Sequence, residues 1–185
     1  MSMEKYNKIH FIGIGGISMS SLAGKFSKSK GKTITGSDGV ASNVTKALEN
    51  IGIQVSIGQK AENITPDTDL IVYTAAVKED NPELMAARAS GIETVDRAAL
   101  VGMMMLEYKF PLSVAGTHGK TTTSSLVTEI FLEANTNPTV SIGGILPSIK
   151  GNYKVGGEDY FILETCEYCD SFLKFNPHGA IILQY

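Results

Sequence analysis

The strongest constraint in this 185-residue sequence is an order: short runs rich in Ile, Val and Phe take turns with longer stretches compatible with helix. Strands separated by helix-length segments imply parallel pairing through crossovers, and hence an α/β fold. The first run, Ile9 to Ile12 in "KIHFIGIGG", precedes "SMSSLAGKFSKSKG", where Met19, Leu22, Ala23 and Phe26 recur at helical spacing and Gly31 supplies a stop. Then follow "KTITGSD" as a strand, "NVTKALENIG" as a helix, and "IQVSIG" and "DLIVYTAA" as strands. "NPELMAARASG" reads as a helix with Pro82 in its first turn, and "IETVD" as a short strand. After "RAALVGMMMLEY" the pattern restarts at "FPLSVAG".

The restart sets a domain boundary near Tyr108. Residues 1–107 read as a Rossmann-like parallel-sheet domain and residues 108–185 as the beginning of a P-loop α/β domain, with one continuous doubly wound sheet as the alternative because no Pro/Gly-rich linker marks the join. A hydrophobic content of 43% with 19% charged residues suffices for a sizeable core. The formal net charge of -3 gives no electrostatic footprint for nucleic acid. No apolar run reaches the roughly 18 residues of a membrane span, and "MSMEKYNK" carries no signal-peptide core, so a cytoplasmic protein is expected. Cys166 and Cys169 form a C-x-x-C pair; without a second pair for zinc, two free thiols are expected.

Two glycine-rich turns carry the functional reading. In "GIGGIS", Gly13 and Gly15 match the first two glycines of G-x-G-x-x-G, while Ser18 takes the third position. Asp38, closing "TGSD", lies where an acidic residue meets a ribose hydroxyl in such a fold. Glycine at a strand-to-helix turn also has a purely structural use. The second turn, "VAGTHGKTTTSSL", follows an apolar strand and opens a helix expected to carry Leu126, Ile130 and Phe131 on one face. A full P-loop, G-x-x-x-x-G-K-[ST], would have Gly where this chain has Val114. Backbone N–H groups at a helix start suit phosphate oxygens; Lys120 would reach the terminal phosphates and Thr121 would sit on magnesium.

Together with "HFIGIGGISMSSLA", "GSD", "VYTAAVKEDNPEL" and "ETCEYCDSFLKF", these turns resemble the Mur ligases of peptidoglycan synthesis over almost the whole chain, most of all the alanine-adding branch. In that family G-T-x-G-K-T-T replaces the full P-loop pattern, which accounts for Val114. The resemblance implies ATP-dependent joining of L-alanine to UDP-N-acetylmuramate through an acyl phosphate. It implies that Gly13, Gly15, Gly16, Ser18 and Asp38 serve the UDP-sugar, and that Gly116, Thr117, His118, Gly119, Lys120, Thr121 and Thr122 serve ATP. Lys120 and Glu164 would be catalytic, with Thr121 and Glu164 on magnesium and Glu167 as a competitor for Glu164's place. His118 would contact ligand or solvent, and His10 and His178 read as structural.

The family continues beyond "HGAIIL" with an Asn and an Asp-His pair, where this chain has Gln184 and Tyr185. A chain without the family's closing C-terminal domain is expected to lack ligase activity alone, and its open sheet edge could pair with a second copy to give a homodimer. A ligase for recycled peptide, an NAD-binding Rossmann protein and a non-catalytic binding module are the other readings; the NAD reading leaves "GTHGKTTT" unexplained.

Overall fold

The computed structural model describes residues 3–165 and 175–183. The chain divides into two compact units, one spanning Glu4–Leu100 and the other formed by the residues from Val101 on together with Met3. The division falls inside a helix, ahead of Tyr108.

The first unit contains β1 (Lys8–Ile12), α1 (Ile17–Ser27), β2 (Thr33–Asp38), α2 (Asn43–Asn50), β3 (Gln54–Ile57), β4 (Leu70–Tyr73), α3 (Pro82–Ala89) and β5 (Glu93–Asp96). Its five strands are ordered β3-β2-β1-β4-β5 and all pair in parallel. The chain winds outward from β1 to β3, then returns to the other side of β1 with β4. Sequence turns set the helix starts. Ser42 and Thr45 form a reciprocal capping box on α2, and the Asn81 side chain accepts from the Glu83 and Leu84 N–H groups with Pro82 in the first turn of α3. The expected stripe Met19, Leu22, Ala23 and Phe26 is the buried face of α1. Ile12 and Ile71 pack against Leu84 and Ala87 of α3.

α4 (Arg97–Met105) leads to the second unit, which contains β6 (Phe110–Ala115), α5 (Lys120–Glu133), β7 (Thr139–Leu146), β8 (Gly151–Lys154), β9 (Tyr160–Glu164) and β10 (Gly179–Ile182). Its sheet has the order β10-β6-β9-β7-β8, parallel except for the β7–β8 pair. The core joins Val140, Ile142, Leu146 and Ile162 with Val127 and Phe131 of α5. The expected face of α5 is therefore corrected. Leu126 and Ile130 are 60% and 66% exposed, and the buried positions are Ser124 and Thr128. Leu126, Ile130 and Phe131 share a helical spacing, but the sheet meets the neighbouring stripe Ser124-Val127-Thr128-Phe131, so small hydroxyl side chains take the tightest places.

His178 is exposed; its ring meets Phe110 edge-on at 5.1 Å, Phe110 stacks on Tyr160, and the main-chain N–H of His178 donates to the Pro111 carbonyl. Cys166, Glu167, Cys169, Gln184 and Tyr185 lie outside the described residues, so the expectations attached to them have no structural counterpart.

Candidate functional site

In the first unit, strand order reverses between β1 and β4, and an open α/β sheet leaves a crevice at such a point beyond its carboxyl ends. A cavity of about 550 Å³ lies there, lined among others by Gly13, Asp38, Gln59, Thr74, Lys78 and Asn81. Gly13 has φ +82°, and a Cβ on it would meet Thr74 Cγ2 at 2.5 Å. Glycine is thus required twice over, by conformation and by contact. The Gly13 and Ile14 N–H groups both donate to the Ser37 carbonyl at 2.9 Å.

Asp38 does more than border the cavity. Its Oδ2 accepts from the Gly15 N–H at 2.8 Å and its Oδ1 from the Val40 N–H at 3.2 Å, so the carboxylate holds the glycine turn in place. Gly16 caps α1 without a side-chain bond, and no acidic residue occupies the first turn. Ser18 lies in that turn, half-buried. An 11-residue helix opening with bare N–H groups beside the crevice favours an anion. Gln59, Thr74, Lys78 and Asn81 carry no motif of their own; Gln59 and Thr74 follow the ends of β3 and β4, and Lys78 and Asn81 lie on the segment that leads into α3.

Behind this crevice lies a buried polar network. His10, on β1, reaches the Thr35 hydroxyl through Nδ1 at 2.8 Å and Glu83 Oε1 through Nε2 at 2.7 Å; the Ser37 hydroxyl donates to Glu83 Oε2 at 2.6 Å. His10 is 2% and Glu83 0% exposed. The imidazole ties β1, β2 and α3 together, the structural use expected of it.

In the second unit, β6 ends at Ala115 and the loop Gly116, Thr117, His118, Gly119 delivers the chain into α5. Val114, where a full P-loop has its first glycine, is still in β6 and is 1% exposed, so the side chain fills the core and the glycine loop begins two residues later. Gly116 and Gly119 have φ +136° and +78°, and a Cβ on Gly116 would meet Leu183 Cβ at 2.8 Å. The Lys120 ammonium donates to the carbonyls of Gly116 and Thr117. Thr117, His118, Thr121 and Thr122 are exposed at the loop and helix start, which has no acidic residue in its first turn.

β9 lies beside β6 with Glu164 in register with Val114, which sets the carboxylate next to the loop. Glu164 Oε1 accepts from the Thr121 hydroxyl at 2.8 Å; Oε2 accepts from the Ser124 hydroxyl at 2.9 Å and the Gly143 N–H at 2.7 Å. A Cβ on Gly143 would stand 2.6 Å from Glu164 Oε1, and one on Gly144 2.7 Å from Thr121 Cγ2. Gly143 thus lets β7 come within bonding distance of the carboxylate, and Gly144 makes room for the Thr121 side chain. Adjacent glycines in "SIGG" are a sequence signal of such close approach, and neither they nor Ser124 were read as part of the site. Among the described residues no cluster of three or more His, Cys, Asp or Glu could hold a metal, and no helix is long and apolar enough to cross a membrane.

Comparison with known proteins gives this geometry a setting. The chain is 57% identical over 175 residues to a UDP-N-acetylmuramate--L-alanine ligase of Agathobacter rectalis, a match covering 95% of this chain and 38% of that protein. The crystal structure of UDP-N-acetylmuramate-alanine ligase MurC from Thermotoga maritima superposes with a TM-score of 0.78 at 36% identity, covering 95% of this chain and 40% of that one. A UDP-N-acetylmuramate:L-alanyl-gamma-D-glutamyl-meso-diaminopimelate ligase from Neisseria meningitides gives a TM-score of 0.81 at 26% identity, with coverages of 96% and 60%. The chain therefore spans well under half the length of the curated relatives it matches. The family model for the Mur ligase family, catalytic domain, matches residues 8–109, more than half of the sequence, and by that match the chain belongs to the Mur ligase family.

Proposed function

We propose that this chain carries the UDP-N-acetylmuramate-binding region and the start of the ATP-binding region, residues 1–107 and 108–185, of a ligase that joins L-alanine to UDP-N-acetylmuramate. The observation that carries the reading is the meeting of Thr121 and Glu164, 2.8 Å apart, beside a glycine loop that ends in Lys120 at the start of a 14-residue helix. A carboxylate is a poor acyl donor until it is phosphorylated, and positioning and neutralising phosphates supply most of what such a reaction needs.

The roles follow from the donors present. The N–H groups of the first turn of α5 would hold phosphate oxygens. Lys120 would exchange its two loop carbonyls for oxygens of the transferring phosphoryl group. The pair Thr121 and Glu164 fits magnesium chemically: both offer hard oxygen donors, and the ion completes its shell with water and substrate phosphates rather than an all-protein cage. When bound, the ion would neutralise phosphate charge at the transferring group. In the first unit the α1 start and the Gly13–Gly16 turn would receive the pyrophosphate, with the crevice taking the adjoining sugar or base.

The alanine-adding reading is favoured over the peptide-recycling one by 36% against 26% identity to the two solved structures. The NAD reading leaves the Lys120 loop and the Thr121–Glu164 pair without a use. Calorimetric titration with UDP-N-acetylmuramate, NAD and magnesium-ATP tests the proposal. Saturable binding of the UDP-sugar and ATP with no NAD response is expected; NAD binding without a UDP-sugar response would overturn it.

A further inference from the structure

Glu164 has two kinds of partner. Its Oε1 meets the hydroxyl of Thr121, an exposed residue at the loop mouth. Its Oε2 meets two donors fixed in secondary structure, the Gly143 N–H of β7 and the hydroxyl of Ser124, which is 0% exposed. Ser124 stands one turn beyond Lys120 on α5, on the stripe that packs against the sheet. Its single proton has two acceptors within reach, Glu164 Oε2 at 2.9 Å and the Thr121 carbonyl at 3.2 Å. The carboxylate is both the nearer and the stronger acceptor. The sequence offers a hydroxyl at a position whose burial alone would favour alanine.

We propose that Ser124 is a positioning residue for the metal ligand Glu164. With the Gly143 N–H it anchors Oε2, stops the carboxylate from rotating about its last side-chain bond, and leaves Oε1 as the oxygen presented, beside Thr121, to a divalent cation. The assignment rests on the magnesium-nucleotide reading given above and deepens it by naming what orients the ligand. Second-layer hydrogen bonds of this kind typically carry 10- to 100-fold in metal affinity.

The test uses the full 185-residue chain and measures ADP binding by calorimetry across a magnesium titration, and again in EDTA. Ser124→Ala should raise the magnesium concentration for half-maximal effect about tenfold or more, with metal-free ADP affinity and the melting temperature in EDTA close to those of the unaltered chain. Ser124→Cys, of similar size but a weaker donor, should shift the magnesium response in the same direction and carries the test should the alanine variant fail to fold. Thr128→Ala is the control: its buried hydroxyl donates to the Ser124 carbonyl at 2.7 Å and not to Glu164, so the magnesium response should not move. Manganese in place of magnesium lets electron paramagnetic resonance count bound ion directly. A Ser124→Ala response within twofold of the unaltered chain, or an equal loss of ADP affinity with and without metal, would overturn the assignment. If the unaltered chain shows no magnesium-dependent nucleotide binding, the parent reading fails and this one falls with it, a result distinct from a failure confined to the variants.

Discussion

Replacing Glu83 by alanine should cost more stability than any surface change in this protein. Glu83 is fully buried and holds the Ser37 hydroxyl at 2.6 Å and His10 Nε2 at 2.7 Å. Truncation strands both partners away from water. A buried polar group left without its partner costs roughly 1–3 kcal/mol, so two amount to about 2–6 kcal/mol. The middle of that range, about 4 kcal/mol, is a large fraction of a native stability of roughly 5–15 kcal/mol. With a urea slope of about 2 kcal/mol per molar, the midpoint should fall by about 2 M, read by circular dichroism at constant slope. Adding His10→Ala should then cost less than His10→Ala does alone, since its partner has already gone. A midpoint shift under about 0.5 M, or strict additivity of the two changes, would refute the view that this network binds α3 to the sheet.

Gly13→Ala forces a left-handed φ of +82° on a side chain whose Cβ meets Thr74 at 2.5 Å; UDP-N-acetylmuramate binding should weaken about tenfold or more, at a cost of ~1–2 kcal/mol from the backbone alone, and unchanged calorimetric affinity would count against the crevice. The Lys8 ammonium, 2.8 Å away and aided by the Thr65 hydroxyl, holds the Asp67 carboxyl down from 3.8 to about 2. The stabilisation from that pair is thus complete above pH 3.8 and is lost as pH falls through about 2, so Asp67→Asn should flatten the acid-unfolding profile in that window and nowhere else. Tyr153 keeps its hydroxyl buried with no hydrogen-bond partner among the described residues, and burial pushes its phenol pKa up. Tyr153→Phe should therefore raise stability by up to about 1 kcal/mol, and a lower melting temperature would show that the hydroxyl has a partner after all.

The first unit was legible nearly strand by strand, because α2 and α3 carry their own start signals and β1, β2 and β4 their own buried positions. The glycine turns were legible for the same reason: Gly13, Gly116 and Gly119 occupy conformations that other residues avoid. The stripe of α5 was misjudged because periodicity ranks residues by apolarity. The sheet instead selects for size, admitting Ser124 and Thr128 and turning Leu126 and Ile130 outward. The approach of Gly143 to Glu164 joins residues 21 apart in the chain, through a contact that depends on having no side chain at all. Local pattern cannot register such a contact, although paired glycines in a strand point to it.

Ser37 gives the first unit a particular evolutionary stiffness. Its carbonyl fixes two N–H groups of the glycine turn while its hydroxyl fixes Glu83 on another element. The carbonyl belongs to the main chain and survives any substitution, so the serine side chain answers to the buried carboxylate alone while the position itself is held in place by the glycine turn. Relatives that lose the serine should also have lost the buried acid, and this paired drift can be looked for without touching the protein.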